Sequence, residues 1–143
     1  PSNIQAALGY AQFLRLEELV NIQRRQFSLY STLLQDIPHI SLNIEPSEVH
    51  NSYWITALVI GEQYGIDKFE LMKRLHKLEV PCRPFFYPLS KLPAYNQEEE
   101  YKERNPNAYS ISQRGINLPA AANLTEEQIS FVSEGIKEVL SNV

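Results

Sequence analysis

Apolar residues recur at helical spacing through residues 4–34: Ile4, Ala7, Leu8, Ala11 and Leu14, then Leu19 and Ile22, then Tyr30, Leu33 and Leu34. Ser2 or Asn3 can cap the start, since a short polar side chain accepts a bond from an otherwise orphaned amide. The stretch is long for a globular helix, so a bend or break is expected near residues 21–25. Ala6-Ala7-Leu8-Gly9 is built from small residues that let another backbone come close, and Pro38 stops the helical pattern.

The period then changes. Residues 39–45 alternate apolar Ile40, Leu42 and Ile44 with polar Ser41 and Asn43, which predicts a half-buried strand. Residues 53–60 are rich in β-branched and aromatic side chains and read as a more central strand. Asp67-Lys68-Phe69-Glu70 has the reciprocal spacing of a helix start, and Phe69, Met72, Leu75 and Leu78 share one face of the helix that follows. Residues 80–86 read as a third strand that Pro81 and Pro84 demote to an edge. Residues 88–108 are turn-rich and polar and predict a surface excursion of low order. A short helix over 109–114 is expected to end at Gly115 as a left-handed terminator, followed by an extended piece, Ile116-Asn117-Leu118-Pro119. Thr125-Glu126-Glu127-Gln128 opens a final helix that buries Ile129, Val132, Ile136, Val139 and Leu140. The sum is one α+β domain over residues 1–143. It has two layers, a small and mostly antiparallel sheet covered by helices, with a long N-terminal helix.

Composition narrows the classes. The 43% hydrophobic content of 143 residues supplies a real core. A net charge of −4 with dispersed basic residues argues against nucleic acid as a partner. Arg24-Arg25 and Lys73-Arg74 are the adjacent basic pairs and read as solvated faces. The one cysteine, Cys82, excludes an internal disulfide, fits a reducing cytoplasm and reads as a packing residue. No apolar run approaches the ~18–20 residues that span a bilayer, so no membrane role is expected.

Chemistry-bearing motifs are sparse. His39, His50 and His76 lack paired metal-ligand spacing, the five glycines form no phosphate loop, and no Ser or Thr has a nucleophile context. Glu98-Glu99-Glu100 offers paired carboxylates but reads as loop solvation. The segment of residues 83–95 carries more. Arg83 beside Phe85, Phe86 and Tyr87 can hold a phosphate or carboxylate bidentately while rings pack on a base or sugar. An aromatic strand filling the core, with Arg83 in a surface ion pair, stands as the alternative.

The run from Ser2 to Gly9, Ser-Asn-Ile-Gln-Ala-Ala-Leu-Gly, with Gln12 three positions on, resembles a helix start of the DegT/DnrJ/StrS family. These are pyridoxal-phosphate-dependent nucleotide-sugar aminotransferases. The resemblance continues in order through Asn51-Ser52-Tyr53-Trp54, the helix of residues 67–78, and Arg83-Pro84-Phe85-Phe86-Tyr87-Pro88-Leu89 with Pro93-Ala94-Tyr95. It ends with Gly115-Ile116-Asn117-Leu118-Pro119 and Leu124-Thr125-Glu126-Glu127, and its subgroup looks perosamine-synthase-like. Many relatives have histidine where Ser90 stands, which bears on the identity of the sugar or nucleotide.

The resemblance implies the small C-terminal domain of an enzyme that passes an amino group, usually from glutamate, to a nucleotide-linked 4-keto-6-deoxy sugar. It implies pyridoxal phosphate in the whole protein, a homodimer, and a large N-terminal domain holding the cofactor lysine. None of the six lysines here has the family's cofactor-lysine context, so the chain alone is expected to be catalytically inert, a C-terminal fragment. Arg83, Phe85, Tyr87 and Ser90 become candidates for a substrate-facing rim, and Asn3 for a cofactor-proximal position at the dimer seam. A free-standing nucleotide-sugar-binding module and a purely structural dimerisation piece are the rival expectations.

Overall fold

The protein is described by a computed structural model over residues 2–95 and 98–143. Pro1, at the opening of the predicted helix, and Asn96 and Gln97, in the predicted excursion, lie outside the described residues. Helix α1 spans Asn3–Phe13 and α2 spans Leu16–Leu34. Ser2 caps α1: its hydroxyl accepts from the Gln5 amide at 3.4 Å, and the Ser2 amide donates to the Gln5 side chain at 2.8 Å.

The break in the N-terminal helix falls at Leu14–Arg15, not at residues 21–25. Arg15 leaves helical geometry (φ −110°, ψ 13°) and pairs with Glu18 at 2.7 and 2.9 Å. Glu17 and Glu18 then sit in the first turn of α2, where the helix dipole favours negative charge. The polar residues near 21–25 are docking groups instead. Gln23 and Gln26 donate to the carbonyls of Ala120 and Ala121, each at 2.8 Å, and the Tyr30 hydroxyl donates to Pro119 at 3.1 Å. One face of α2 thus grips three successive carbonyls of the segment that leaves the sheet.

That sheet has the order β1-β2-β4-β3, every pair antiparallel, from Ile40–Leu42, Ala57–Ile60, Gly115–Asn117 and Arg83–Pro84. β1 and β2 are shorter than predicted because side chains take over the ladder. Asn43 accepts from the Ala57 amide at 2.7 Å and donates to the Ile55 carbonyl at 3.3 Å, while Tyr53 adopts φ 49°, which no strand residue can. β3 is the edge strand foreseen from its prolines, cut to two residues.

Helix α3 spans Lys68–Lys77. Asp67 caps it, accepting from the Phe69 and Glu70 amides at 2.9 Å each, but the reciprocal half of the predicted box is absent, since Glu70 pairs with Arg74 at 2.9 Å. The left-handed residue that ends a helix is Glu79 (φ 58°) after α3, not Gly115. Gly115 is extended (φ −93°, ψ 139°) and begins β4 directly after α5, Pro106–Arg114. A Cβ there would lie 2.7 Å from the Ile111 carbonyl and 2.9 Å from Phe85 Cβ, so glycine is required for close approach rather than for handedness. Residues 89–91 form a 3₁₀ turn and Glu98–Lys102 the short helix α4, so much of the predicted excursion is regular. The final helix α6, Glu126–Ser141, opens on the expected box between Thr125 and Gln128.

The core lies between the sheet and helices α2, α3 and α6. Tyr30, Leu58, Ile60, Leu71, Leu75, Ile116 and Ile136 are wholly buried there. In contrast α1 buries nothing: Ile4, Leu8, Tyr10, Phe13 and Leu14 are all exposed, and no Cβ-distance neighbour meets Gly9, so the small-residue face is open. Among the described residues no helix is long and apolar enough to cross a membrane.

Candidate functional site

Three residues before β2, Trp54 projects from the loop between the first two strands with 65% of its surface exposed. Its ring lies nearly parallel to that of Phe86, with an interplanar angle of 19° and centroids 6.3 Å apart. Together with Cys82, Arg83, Asn117 and Pro119 they line a groove of about 810 Å³ beside the edge of the sheet. Arg83 is exposed, and no described side chain pairs with it. Asn117 donates to the Pro84 carbonyl at 3.3 Å, while its own buried Oδ1 has no partner among the described residues. A planar aromatic shelf flanked by a guanidinium suits a planar ligand that carries negative charge.

The loop that presents Trp54 is pinned by an ion pair. Arg24 donates to both Glu45 oxygens, at 2.6 and 3.0 Å, and to the Asn51 carbonyl at 2.5 Å, so Arg24 is a half-buried anchor rather than a solvated charge. Glu45 also accepts from the Asn51 amide at 2.8 Å and from the Tyr53 hydroxyl at 3.4 Å. The Tyr53 ring stacks on Phe27 at 3.7 Å. The Arg24 bond, then the Asn51 amide, hold the Glu45 carboxyl at about 2, well below the ordinary carboxylate range. Because the folded value lies below the unfolded one, this stabilisation is complete above about pH 4.5 and is lost as pH falls toward 2. Unfolding of Glu45→Gln and the parent in urea at a series of pH values should therefore show a gap at pH 6 that closes between pH 4.5 and 2. A gap independent of pH would remove the ion pair from this role.

The four predicted rim residues do not share one cavity. Arg83 lines the Trp54 groove. Phe85 is half-buried against Gly115, lining a second depression with residues of β1 and α5. Tyr87 lines a third depression with Lys68 and Phe69, its ring 4.2 Å from the Lys68 ammonium. Ser90 is half-buried with its hydroxyl 2.7 Å from that of Tyr109. Asn3 is exposed in the first turn of α1. Trp54 and Lys68 were missed at the sequence level. Trp54 stood in a segment read as strand, and Lys68 looked like any charged residue at a helix start.

Of the remaining groups, Cys82 is half-buried and burial pushes its thiol up, in keeping with a packing role. Glu100 is on α4 and pairs with Arg104 at 3.3 Å, so the acidic run is helical and not a loop. Among the described residues no three of His, Cys, Asp and Glu come together. Five of the six lysines are exposed; Lys68 is the buried one, and its ammonium is spent on the Phe85 carbonyl at 3.0 Å. No described loop gathers successive amides around a glycine run. These residues do not fit the covalent anchor and phosphate cup that pyridoxal phosphate needs.

A family model described as the DegT/DnrJ/EryC1/StrS aminotransferase family matches residues 2–137. GDP-perosamine synthase of Vibrio cholerae is 32% identical over 136 residues, covering 95% of this chain and 36% of the relative. GDP-perosamine synthase of Escherichia coli O157:H7 is 28% identical over 141 residues, covering 99% of the chain and 37% of the relative. Among solved structures, Helicobacter pylori PseC, an aminotransferase involved in pseudoaminic acid biosynthesis, superposes with a TM-score of 0.82 at 18% identity. That match covers 98% of this chain and 38% of PseC. The chain thus spans a little over a third of the length of these relatives.

Proposed function

The chain belongs to the DegT/DnrJ/EryC1/StrS aminotransferase family, and from that premise we propose that it is the C-terminal small domain of a sugar aminotransferase. The whole protein transfers an amino group, with glutamate as donor, to a nucleotide-linked 4-keto-6-deoxy sugar, as in perosamine-type sugar biosynthesis. It works in the cytoplasm as a homodimer, with pyridoxal phosphate held by a large N-terminal domain of the same polypeptide. The carrying observation is the family match over nearly all of a chain that spans only 36% of its Vibrio cholerae relative. The missing anchor for the cofactor among these lysines supports the same division of labour.

In this reading Arg83 and the Trp54–Phe86 shelf receive the nucleotide-sugar. Phe85, Tyr87 and Ser90 belong to the rim around them, and Asn3 sits toward the cofactor. The apolar surface of α1 is what the large domain covers, since Ile4, Leu8, Phe13 and Leu14 are 64–73% exposed and together far exceed scattered surface apolarity.

Amino transfer to a GDP-linked 4-keto-6-deoxy sugar, followed by product mass, tests the reading. The full-length polypeptide should aminate the sugar when given glutamate and pyridoxal phosphate, and the 143-residue chain should not. Amination by the chain alone would refute the division of labour. A full-length protein with no cofactor lysine would refute the enzyme. Sedimentation offers a separate check on α1: the isolated chain self-associates, and Leu8→Ser with Phe13→Ser makes it monomeric. A wild-type chain that sediments as a monomer at high concentration would mean that the exposed α1 face does not drive self-association.

A further inference from the structure

Lys68 is 1% exposed, and what faces its ammonium is the Phe85 carbonyl and the rings of Phe69 and Tyr87. It is the first residue of α3, at the positive end of the helix dipole. Lys91 repels it, and the Asp67 Oδ1 beside it is already committed to two amides of the α3 cap. Burial first, then Lys91, lowers its pKa, and Asp67 offsets this in part. An apolar side chain of similar length would fill the same space but leave the Phe85 carbonyl without this donor.

What Lys68 does hold is geometry. The Arg83–Pro84 edge strand is weakly built, because Pro84 has no N–H to give to the ladder. Beyond its ladder pairing with β4, three contacts at Pro84 and Phe85 hold it. The Phe85 amide donates to the Gly115 carbonyl at 3.0 Å, the Asn117 side chain donates to the Pro84 carbonyl at 3.3 Å, and the Lys68 ammonium donates to the Phe85 carbonyl at 3.0 Å. The Phe85 carbonyl lies in the planar peptide that leads into Phe86, so its orientation sets the direction in which the Phe86 ring leaves the chain. The same ammonium faces the Tyr87 ring at 4.2 Å. One buried cation therefore ties down both sides of the residue that forms half of the Trp54 shelf.

We propose that Lys68 is a positioning residue: from α3 it clamps the Phe85 carbonyl and the Tyr87 ring, and so fixes Phe86 against Trp54 in the orientation that receives the nucleotide-sugar. This rests on the groove reading given under the proposed function.

The test uses the full-length enzyme with a GDP-linked 4-keto-6-deoxy sugar as varied substrate. Lys68→Met keeps the stem and removes the donor. It should raise KM about 10- to 100-fold, the usual consequence of a loosened supporting group, with kcat little changed. Its urea midpoint should fall only slightly, by the loss of one hydrogen bond, and Lys68→Arg, which keeps both charge and donors, should restore most of the KM. Trp54 is the sole tryptophan of the 143-residue chain, so the near-UV circular dichroism of that chain reports on the shelf without substrate and should change in Lys68→Met. A KM that rises only in step with a falling midpoint makes Lys68 a structural residue and overturns the proposal. So does an unaltered Trp54 signal, or a folded Lys68→Arg as impaired as Lys68→Met. Arg83→Ala is the separate arm: if it leaves KM unchanged while Lys68→Met still alters the Trp54 signal, the groove reading fails and the clamp stands.

Discussion

Tyr30→Ala should cost about 3–5 kcal/mol of folding stability, the range for emptying a large aromatic site in a core. Tyr30 is wholly buried in α2, at the seam where α2 packs on α6, and its hydroxyl reaches the Pro119 carbonyl at 3.1 Å. The ring and the hydroxyl make separable contributions. Tyr30→Phe keeps the ring and leaves the half-buried Pro119 carbonyl without this donor, which should cost about 1 kcal/mol. Against the ~5–15 kcal/mol that holds an ordinary domain together, the alanine variant sits near the unfolding threshold and the phenylalanine variant does not. Urea denaturation followed by far-UV circular dichroism measures both. Equal losses in the two variants would mean that the hydroxyl, not packing, carries the site; no loss in either would mean that α2 is not part of the cooperative unit.

The same contact shows what the chain could and could not reveal beforehand. Period located α2, α3, α6 and the central strand, because amphipathic faces are local signals: Leu75, Ile129 and Ile136 are buried where the spacing puts them, whereas Phe69, placed on the same face as Leu75, is exposed and Leu71 is buried instead. Arg24, read as a solvated face, misled, and Gln23 and Gln26 drew no notice, since a polar patch on a helix looks alike whether it faces water or a set of distant carbonyls and carboxylates. The true break at Arg15 had a signal in Glu17-Glu18, acidic residues in a first turn. Gly115 misled differently: its need for glycine is the nearness of Phe85 and of the Ile111 carbonyl, a tertiary fact with no trace in neighbouring residues.

For the site, the family resemblance pointed to one stretch of chain but could not arrange it. Arg83, Phe85, Tyr87 and Ser90 are close in sequence, and an ideal strand would have put Arg83, Phe85 and Tyr87 on one face. Pairing stops after Pro84 and the chain turns into 3₁₀ geometry at Leu89, so the alternation is lost and the four side chains disperse. The Trp54–Phe86 pairing joins residues far apart in sequence, through the crossing of β2 to β4 and β4 to β3, and only topology could supply it.

Arg83 and Trp54 carry the prediction with the greatest consequence for substrate recognition. In the full-length enzyme Arg83→Ala should raise KM for the nucleotide-sugar about 10- to 100-fold, as expected for loss of hydrogen bonds made by a charged donor, ~1.5–3 kcal/mol. Trp54→Ala should act in the same direction and to a similar extent, since stacking of a base on an aromatic ring contributes ~1–3 kcal/mol. Arg83 is solvent-facing on a rim, so its contact is made equally in ground and transition states and kcat should change little. The two should differ in their response to salt. Raising ionic strength weakens a guanidinium–phosphate contact at an exposed position and leaves stacking nearly untouched, so KM should climb with salt in the parent and in Trp54→Ala but not in Arg83→Ala. Because both side chains would hold one ligand, the double variant should lose less than the product of the single effects. If both single variants keep the parental KM at every ionic strength, the groove beside Phe86 is not where the substrate lies.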